Sequence, residues 1–183
     1  MDKLVVMGVA GSGKSTLAAR LAQALACPMF EGDDFHLPAS QDKMRNGIPL
    51  SDSDREPWLD RLGQLMTWRS GDVVLTCSAL RRRYRERLRV CVPELRFVFI
   101  DIDVATAAER VGSRSGHLFP KSLVTSQFSA LESPLGEPDV IAVSAQSTLE
   151  QQVDAVLARL ATTSDAPPER STYVGGGVTT TTL

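Results

Sequence analysis

The chain has 183 residues, of which 43% are hydrophobic, and a formal net charge of −2 at pH 7. This length fits one domain that buries its own core, and the small charge excludes broad electrostatic capture of nucleic acid or anionic membranes. Three cysteines without a CxxC pair indicate reduced thiols, and no apolar run reaches the length of a membrane helix, so a cytoplasmic location is expected.

Short apolar runs alternate with helical patterns along the chain. Strands are predicted at 3–7, 28–30, 73–77, 96–102 and 140–144. After the first strand, Leu17, Leu21 and Leu25 recur every fourth residue and mark one face of a helix. Further helices are predicted at 54–69, 79–90, 103–112, 120–132 and 147–161. Continuous Val/Ile/Phe runs are typical of strands covered on both faces, so the alternation predicts an α/β three-layer sandwich with a five-stranded parallel sheet.

The sequence GVAGSGKS at 8–15 matches the P-loop pattern and lies between an apolar strand and an amphipathic helix. Its glycines let backbone N–H groups turn toward phosphate oxygens, and the following helix adds its positive end. Lys14 is expected to reach the β- and γ-phosphates, and the Ser15 hydroxyl to hold Mg²⁺. The predicted nucleotide-binding residues of this segment are Gly8, Gly11, Ser12, Gly13, Lys14, Ser15 and Thr16.

Three classes of P-loop protein remain open: a small-molecule kinase, a GTPase-like switch, and a nucleic-acid-linked ATPase or regulatory nucleotide-binding module. A switch or ATPase usually has an aspartate at the end of a buried strand to help hold Mg²⁺. Here the run VVLTCSAL has no carboxylate, and the sequence has no N-K-x-D string for reading guanine. Both features favour the kinase.

The segment FEGDDFH at 30–36 follows the second predicted strand. Ligands gather at the carboxyl ends of parallel strands, and the second strand is expected close to the first, so these acids should face the γ-phosphate and Mg²⁺. Side chains alternate along an extended segment, which puts Glu31 and Asp33 on one side and Asp34 on the other. Only one of the two aspartates can then face the P-loop, where an acid can accept the proton of an attacking hydroxyl. A solvated acidic turn is the alternative.

Four segments together resemble the gluconate kinases: EGDDFH, KMRNGIPLSDSDREPWL (43–59), CSALRRRYRERLR (77–89) and SQFSALESP (126–134). The resemblance runs from the P-loop to about Pro134. It implies phosphorylation of the 6-hydroxyl of D-gluconate by Mg-ATP, and a homodimer. Glu31 and Asp33 form an acid-x-Asp pair like those near Mg²⁺ in the related kinases, so the resemblance also implies that Asp33 is the base and a metal ligand. Two alternatives stay open, a kinase of another small polyol acid such as shikimate and a non-catalytic nucleotide-binding regulatory module.

Gluconate carries a carboxylate and several hydroxyls, so its site needs a fork-shaped cation and hydrogen-bonding groups. Candidates for the carboxylate are Arg55, Arg81 and Arg85, and candidates for the hydroxyls are Asp33, His36 and Gln127. The alternative for Arg55 is an ion pair with Asp52 or Glu56 at the start of its helix. The arginine run at 81–89 is interpreted as a helix face with an anion site, not as a nucleic-acid surface.

Arg110 and Arg114 are spaced i, i+4 ahead of a Gly-His pair. Resemblance to the related kinases implies an arginine-bearing lid, at about 110–122, that closes over the phosphates. Arg110 and Arg114 then contact the nucleotide, and Arg114 joins Lys14 and Asp33 as a catalytic residue. The kinase domain is expected to span 1–162. The tail at 163–183 is rich in Thr, Gly and Pro and is predicted to be disordered.

Overall fold

The computed structural model describes residues 1–113 and 121–164. Its strands are β1 (Lys3–Met7), β2 (Met29–Glu31), β3 (Val73–Thr76), β4 (Leu95–Asp101) and β5 (Val140–Ser144). Its helices are α1 (Lys14–Ala24), α2 (Pro38–Arg45), α3 (Asp52–Trp68), α4 (Arg82–Cys91), α5 (Val104–Gly112), α6 (Lys121–Ala130) and α7 (Leu149–Ser164). The predicted strands and helices are all present, with ends shifted by no more than three residues.

The five strands form one parallel sheet in the order β2-β3-β1-β4-β5. Along β1, Leu4 and Val6 pack into one apolar cluster with α1 and α7. Val5 and Met7 pack into a second cluster with α3 and α4 on the opposite face. Because both faces of the sheet are covered, every residue of β1 is buried, and the predicted three-layer α/β sandwich is confirmed.

The sheet order shows how close the second strand lies to the first. β3 lies between β1 and β2, so β2 is an edge strand and not a neighbour of the P-loop strand. β1, β2 and β3 run parallel, so their carboxyl ends still reach the same edge of the sheet. The P-loop and the acidic segment therefore meet at that edge, as the sequence predicted, although not through adjacent strands.

Two elements near this edge were not predicted. The chain leaves β2 through a 3₁₀ turn at Gly32–Phe35 and then forms α2, which begins at Pro38. α3 follows with a capping box, in which Ser51 accepts from the backbone N–H of Asp54 and the Asp54 carboxylate accepts from that of Ser51. This cap fixes where α3 begins, next to the cavity described below.

The predicted lid and tail fall largely outside the described residues. Arg114 lies in the undescribed segment 114–120, and the tail from 165 onward is also outside. α7 continues through Ser164, two residues past the expected end of the kinase domain. Within the described ranges, no helix is long and apolar enough to cross a membrane.

Candidate active site

The P-loop forms a backbone cradle between β1 and α1. Gly8, Gly11 and Gly13 all have positive φ values, 142°, 81° and 103°, which residues with a side chain rarely adopt. α1 starts at Lys14 without a side-chain cap, so the N–H groups of its first turn are left for a ligand. Lys14 Nζ lies 3.0 Å from the carbonyl oxygen of Val9 and lines the same cavity. This geometry fits a chain of phosphate groups.

A cavity of about 320 Å³ opens from the P-loop toward the acidic turn and α3. On the phosphate side it is lined by Gly11, Gly13, Lys14 and Ser15. The opposite wall is formed by Glu31, Asp33, His36, Met44, Ile48, Pro49, Leu50 and Arg55. One space therefore contains a phosphate cradle, two carboxylates and a guanidinium group, which suits the transfer of a phosphoryl group to an anionic acceptor.

Asp33 faces this cavity from the 3₁₀ turn, and its side chain is 74% exposed. The nearby His36 is the main cause that lowers the pKa of the Asp33 carboxyl; burial acts against it, and the charges of Lys14 and Arg55 lower the pKa further. The Nε2 of His36 lies 3.7 Å from Asp33 Oδ1, so the imidazole lies beside the carboxylate at slightly more than hydrogen-bond distance. Asp33 is thus ionised at neutral pH.

The sequence argument for choosing Asp33 over Asp34 used strand alternation, and that reason is wrong. β2 ends at Glu31, and both aspartates lie in the 3₁₀ turn, where side chains do not alternate. The turn nevertheless brings Asp33 to the cavity, whereas Asp34 is exposed and is not among the lining residues.

His36 is buried and held from behind. Only 4% of it is exposed, and its ring stacks on that of Trp58 with centroids 4.1 Å apart. Trp58 Nε1 in turn donates a 2.7 Å hydrogen bond to the carbonyl oxygen of Gly32. His36 Nδ1 is buried and has no hydrogen-bond partner within the described chain. The imidazole therefore has a fixed position at the cavity wall.

The end of β2 is locked to β3 by a short polar network. The Thr76 hydroxyl donates to Glu31 at 2.5 Å and accepts from the backbone N–H of Gly32 at 3.2 Å. A Cβ on Gly32 would collide with the carbonyl oxygen of Thr76, so only glycine allows this approach. Glu31 was expected near the γ-phosphate with the other acids of its segment but was given no role of its own, and Thr76 was not predicted as a site residue. The acid cluster itself was the signal for Glu31, while nothing local marks Thr76.

Cys77 follows Thr76 and also lines the cavity. Burial raises the pKa of its thiol to about 12. A thiol with this pKa stays protonated at neutral pH, so Cys77 is not a nucleophile.

Arg55 lines the cavity from the first turns of α3. Among the described carboxylates, none forms an ion pair with it. Asp52, one of its expected alternative partners, instead binds Arg81 and Arg83. Glu56, the other alternative, lies 3.9 Å from Arg87. The positive charge of Arg55 is therefore directed to the cavity and not used in a local ion pair.

Arg85 does not lie where the sequence predicted. Its side chain is fully buried, and it does not line the cavity. Its Nε and Nη2 donate to Glu137, with the closest approach 2.5 Å, and the remaining N–H groups donate to the carbonyl oxygens of Ala79, Leu80 and Glu132. All five donors are used within the fold. Because no donor remains for a ligand, the prediction that Arg85 binds the substrate is wrong.

Three other predicted residues have partners that limit their roles. Arg81 lies outside the cavity lining and donates to Asp52 at 3.3 Å. Gln127 does line the cavity, but its Oε1 accepts a 2.6 Å hydrogen bond from the Ala10 N–H, so its amide is partly committed to the P-loop. Arg110 Nη2 donates to the carbonyl oxygen of Ala145, at 2.8 Å, just beyond β5.

The residues present fit a magnesium ion that is shared with phosphate groups. Ser15 and Asp33 face the same cavity, and each offers one oxygen-bearing side chain. No group of three or more His, Cys, Asp or Glu side chains in the described ranges is arranged to hold a metal ion. Magnesium in nucleotide sites usually takes one or two protein oxygens and completes its shell with phosphates and water. A two-ligand site of this kind is what the cavity provides.

Comparisons with known proteins agree with this site. Residues 4–138 match the protein family described as an AAA domain. A gluconokinase of Gluconobacter oxydans (strain 621H) is 45% identical over 161 residues, which cover 86% of this chain and 88% of the relative. The thermosensitive gluconokinase of Escherichia coli (strain K12) is 38% identical over 146 residues, 78% of each chain.

Among solved structures, a gluconokinase from Sinorhizobium meliloti 1021 superimposes with a TM-score of 0.82. It is 44% identical and covers 88% of this chain and 93% of its own. Similarity of this extent includes the P-loop, the acidic turn and α3 together. The protein described here belongs to the gluconokinase family of P-loop kinases.

Proposed function

We propose that this protein transfers the γ-phosphoryl group of ATP to the 6-hydroxyl of D-gluconate. The observation that carries the proposal is the meeting of three groups in one cavity: the P-loop, the Asp33 carboxylate and the guanidinium of Arg55. In the proposed reaction, the P-loop binds the phosphate donor, Asp33 activates the hydroxyl, and Arg55 holds the carboxylate of the acceptor. Gluconokinases of Gluconobacter oxydans, Escherichia coli and Sinorhizobium meliloti are similar to this chain over most of its length.

Asp33 receives the proton of the attacking hydroxyl in this proposal. Its lowered pKa makes it a weak base, but phosphoryl transfer proceeds through a loose transition state in which the nucleophile needs orientation more than full deprotonation. An ionised carboxylate accepts a hydrogen bond from the hydroxyl and so points an oxygen lone pair at phosphorus. His36 and its stack on Trp58 keep that carboxylate in place.

The P-loop binds and orients the phosphates. Lys14 stabilises the negative charge that develops on the transferred phosphoryl group, and the N–H groups at the start of α1 bind the phosphate oxygens. Ser15 and Asp33 are the residues proposed to hold magnesium. When bound, that ion neutralises negative charge on the β- and γ-phosphates.

Arg55 binds the gluconate carboxylate at the far end of the cavity, where it forms a bidentate contact. His36 can contact a substrate hydroxyl from the cavity wall, and the Gln127 NH₂ group can do the same while its oxygen stays on Ala10. Arg81 lies outside the lining residues and can reach the substrate only if it leaves Asp52.

The lid role of Arg110 and Arg114 is also a proposal. It is supported by the resemblance to the related kinases, in which an arginine-bearing segment closes over the phosphates; Arg110 lies on α5, and Arg114 lies outside the described residues. A lid arginine strengthens its contact as the phosphoryl group departs and therefore acts on kcat.

We also propose a homodimer, which sedimentation analysis of the purified protein would test.

A coupled assay of ADP release across a panel of acceptors tests the function. We expect the highest kcat/KM with D-gluconate, and at least about 10²-fold less with shikimate or with a neutral sugar that lacks the carboxylate. Faster turnover of another polyol acid would replace gluconate as the substrate. Binding of ATP without turnover of any acceptor would instead identify a regulatory nucleotide-binding module.

A further inference from the structure

Asp52, the first residue of α3, is bound from α4 through both of its carboxylate oxygens. The Tyr84 hydroxyl donates to Oδ1, whereas Arg81 and Arg83 both approach Oδ2. One carboxylate therefore serves two arginines and a phenol. Within the described part of the chain, this is where the arginine-rich helix α4 is tied to the start of α3.

This arrangement is not the one that the sequence favours. Asp52 and Arg55 are three residues apart on the same helix, a spacing at which opposite charges normally pair. No ion pair joins them, and Arg55 lines the cavity instead. The two oxygens of Asp52 are already used by Tyr84, Arg83 and Arg81, so Asp52 does not compete with an incoming carboxylate for Arg55.

Tyr84 takes part in both halves of this arrangement. Only 7% of the residue is exposed, so its hydroxyl needs a hydrogen-bond partner within the fold, and Asp52 is that partner. The Cζ of Arg55 lies 5.9 Å from the centroid of the Tyr84 ring and that of Arg83 lies 5.4 Å from it, so the ring attracts both guanidinium groups. The Tyr84 hydroxyl thus binds Oδ1 of Asp52, and the Tyr84 ring attracts the guanidinium of Arg55.

We propose that Tyr84 is a positioning residue that keeps Arg55 available for the carboxylate of the substrate. It occupies Oδ1 of Asp52, which would otherwise attract Arg55 out of the cavity, and it holds the guanidinium by its ring. The inference rests on the proposed function, since it assumes that Arg55 binds an anionic substrate. It adds a reason why the site selects an acid, and it assigns that selectivity to a residue outside the cavity lining.

The test is Tyr84→Phe, which keeps the ring and removes only the hydroxyl. With Oδ1 of Asp52 vacated, Arg55 can pair with it, and binding of gluconate then has to break that pair. We expect the KM for gluconate to rise about fivefold, the worth of a partly exposed ion pair, with kcat and the KM for ATP changed less than twofold. Asp52→Asn alone removes the competing carboxylate and should leave the gluconate KM within twofold of wild type.

The double variant separates positioning from a general structural role. If Tyr84 acts by occupying Asp52, the gluconate KM of Tyr84→Phe/Asp52→Asn returns to within twofold of that of Asp52→Asn. Thr67→Val is the matched control, because Thr67 donates to the Cys91 carbonyl at 3.1 Å and so joins α3 to α4 away from the cavity. This variant should leave the gluconate KM unchanged.

The results of these assays distinguish failure of the proposed function from failure of the inference about Tyr84. A wild-type enzyme inactive on gluconate would overturn the proposed function and this inference with it. Active wild type with an unchanged gluconate KM in Tyr84→Phe, or a raised KM that Asp52→Asn fails to restore, would overturn the inference alone. Should Tyr84→Phe not fold, Asp52→Asn is the remaining test. A gluconate KM raised fivefold or more at an unchanged Tm would overturn the inference, because Asp52 would then support Arg55 and not compete for it.

Discussion

The imidazole of His36 lies against the indole of Trp58, with ring centroids 4.1 Å apart and planes 17° apart. Trp58 is a buried residue of α3, and its indole N–H also donates a hydrogen bond to the carbonyl oxygen of Gly32, one residue before Asp33. The Trp58 side chain thus supports both His36, which follows the turn, and Gly32, which precedes Asp33. The position of the proposed base is therefore set by packing in the core.

Trp58→Phe tests this support. Phenylalanine can still stack on His36, but the Gly32 carbonyl loses its donor, and an unpaired buried carbonyl costs about 1–3 kcal/mol. We expect the free energy of unfolding, measured in urea, to fall by at least that amount and kcat to fall with it. Trp68→Phe is the control, since Trp68 is 84% exposed and its replacement should change stability by less than about 0.5 kcal/mol. Equal effects of the two changes would contradict the proposed support.

Arg85 leads to a prediction opposite to the one its sequence position suggested. Burial alone would raise the pKa of Glu137, but hydrogen bonds from Arg85 and Arg89 hold it below its usual value. Arg85→Met breaks this buried network and should lower the free energy of unfolding by about 3–5 kcal/mol. The gluconate KM of the folded fraction should stay within twofold of wild type.

Arg82→Met is the matched control for this change, because Arg82 is 69% exposed and pairs with Glu86 one turn away on the same helix. Its replacement should cost no more than about 0.5 kcal/mol. A raised gluconate KM in Arg85→Met with full stability would return Arg85 to the substrate site.

The sequence predicted the main strands and helices, but it did not predict the turn before Asp33 or the role of Arg85. Apolar runs and the P-loop pattern predicted the strands and their helices, because burial on both faces leaves a continuous signal in each segment. The 3₁₀ turn at Gly32–Phe35 and helix α2 left no such signal, since both are short and polar. Arg85 could not be assigned from its neighbours, because its carboxylate partner, Glu137, is 52 residues away in the chain.

Asp54 links stability to pH at the start of α3. Hydrogen bonds from Lys43 and then from Ser51 lower the pKa of its carboxyl. A group with a lowered folded-state pKa stabilises the protein above its unfolded pKa, about 3.9 for aspartate, and the contribution is lost as pH falls toward the folded value. We expect the difference in Tm between wild type and Asp54→Asn to be constant from pH 5 to 8 and to shrink below about pH 4. In a Lys43→Met background, the same difference should be smaller at every pH above 5.

Asp33 and Asp34 give the sharpest test of the mechanism, because they are chemically identical neighbours in one 3₁₀ turn and only Asp33 lines the cavity. Asp33→Asn keeps the shape of the side chain and removes the charge that accepts the proton. We expect kcat to fall by about 10²–10⁴, the usual worth of general-base catalysis. Asp34→Asn should lower kcat less than about threefold, since Asp34 is exposed and does not line the cavity. Both variants should bind ATP as wild type does in a calorimetric titration without magnesium, because the P-loop backbone is unchanged and the proposed magnesium contact of Asp33 is not sampled there. If Asp34→Asn abolishes turnover while Asp33→Asn spares it, the base is Asp34 and the turn must rearrange when substrate binds.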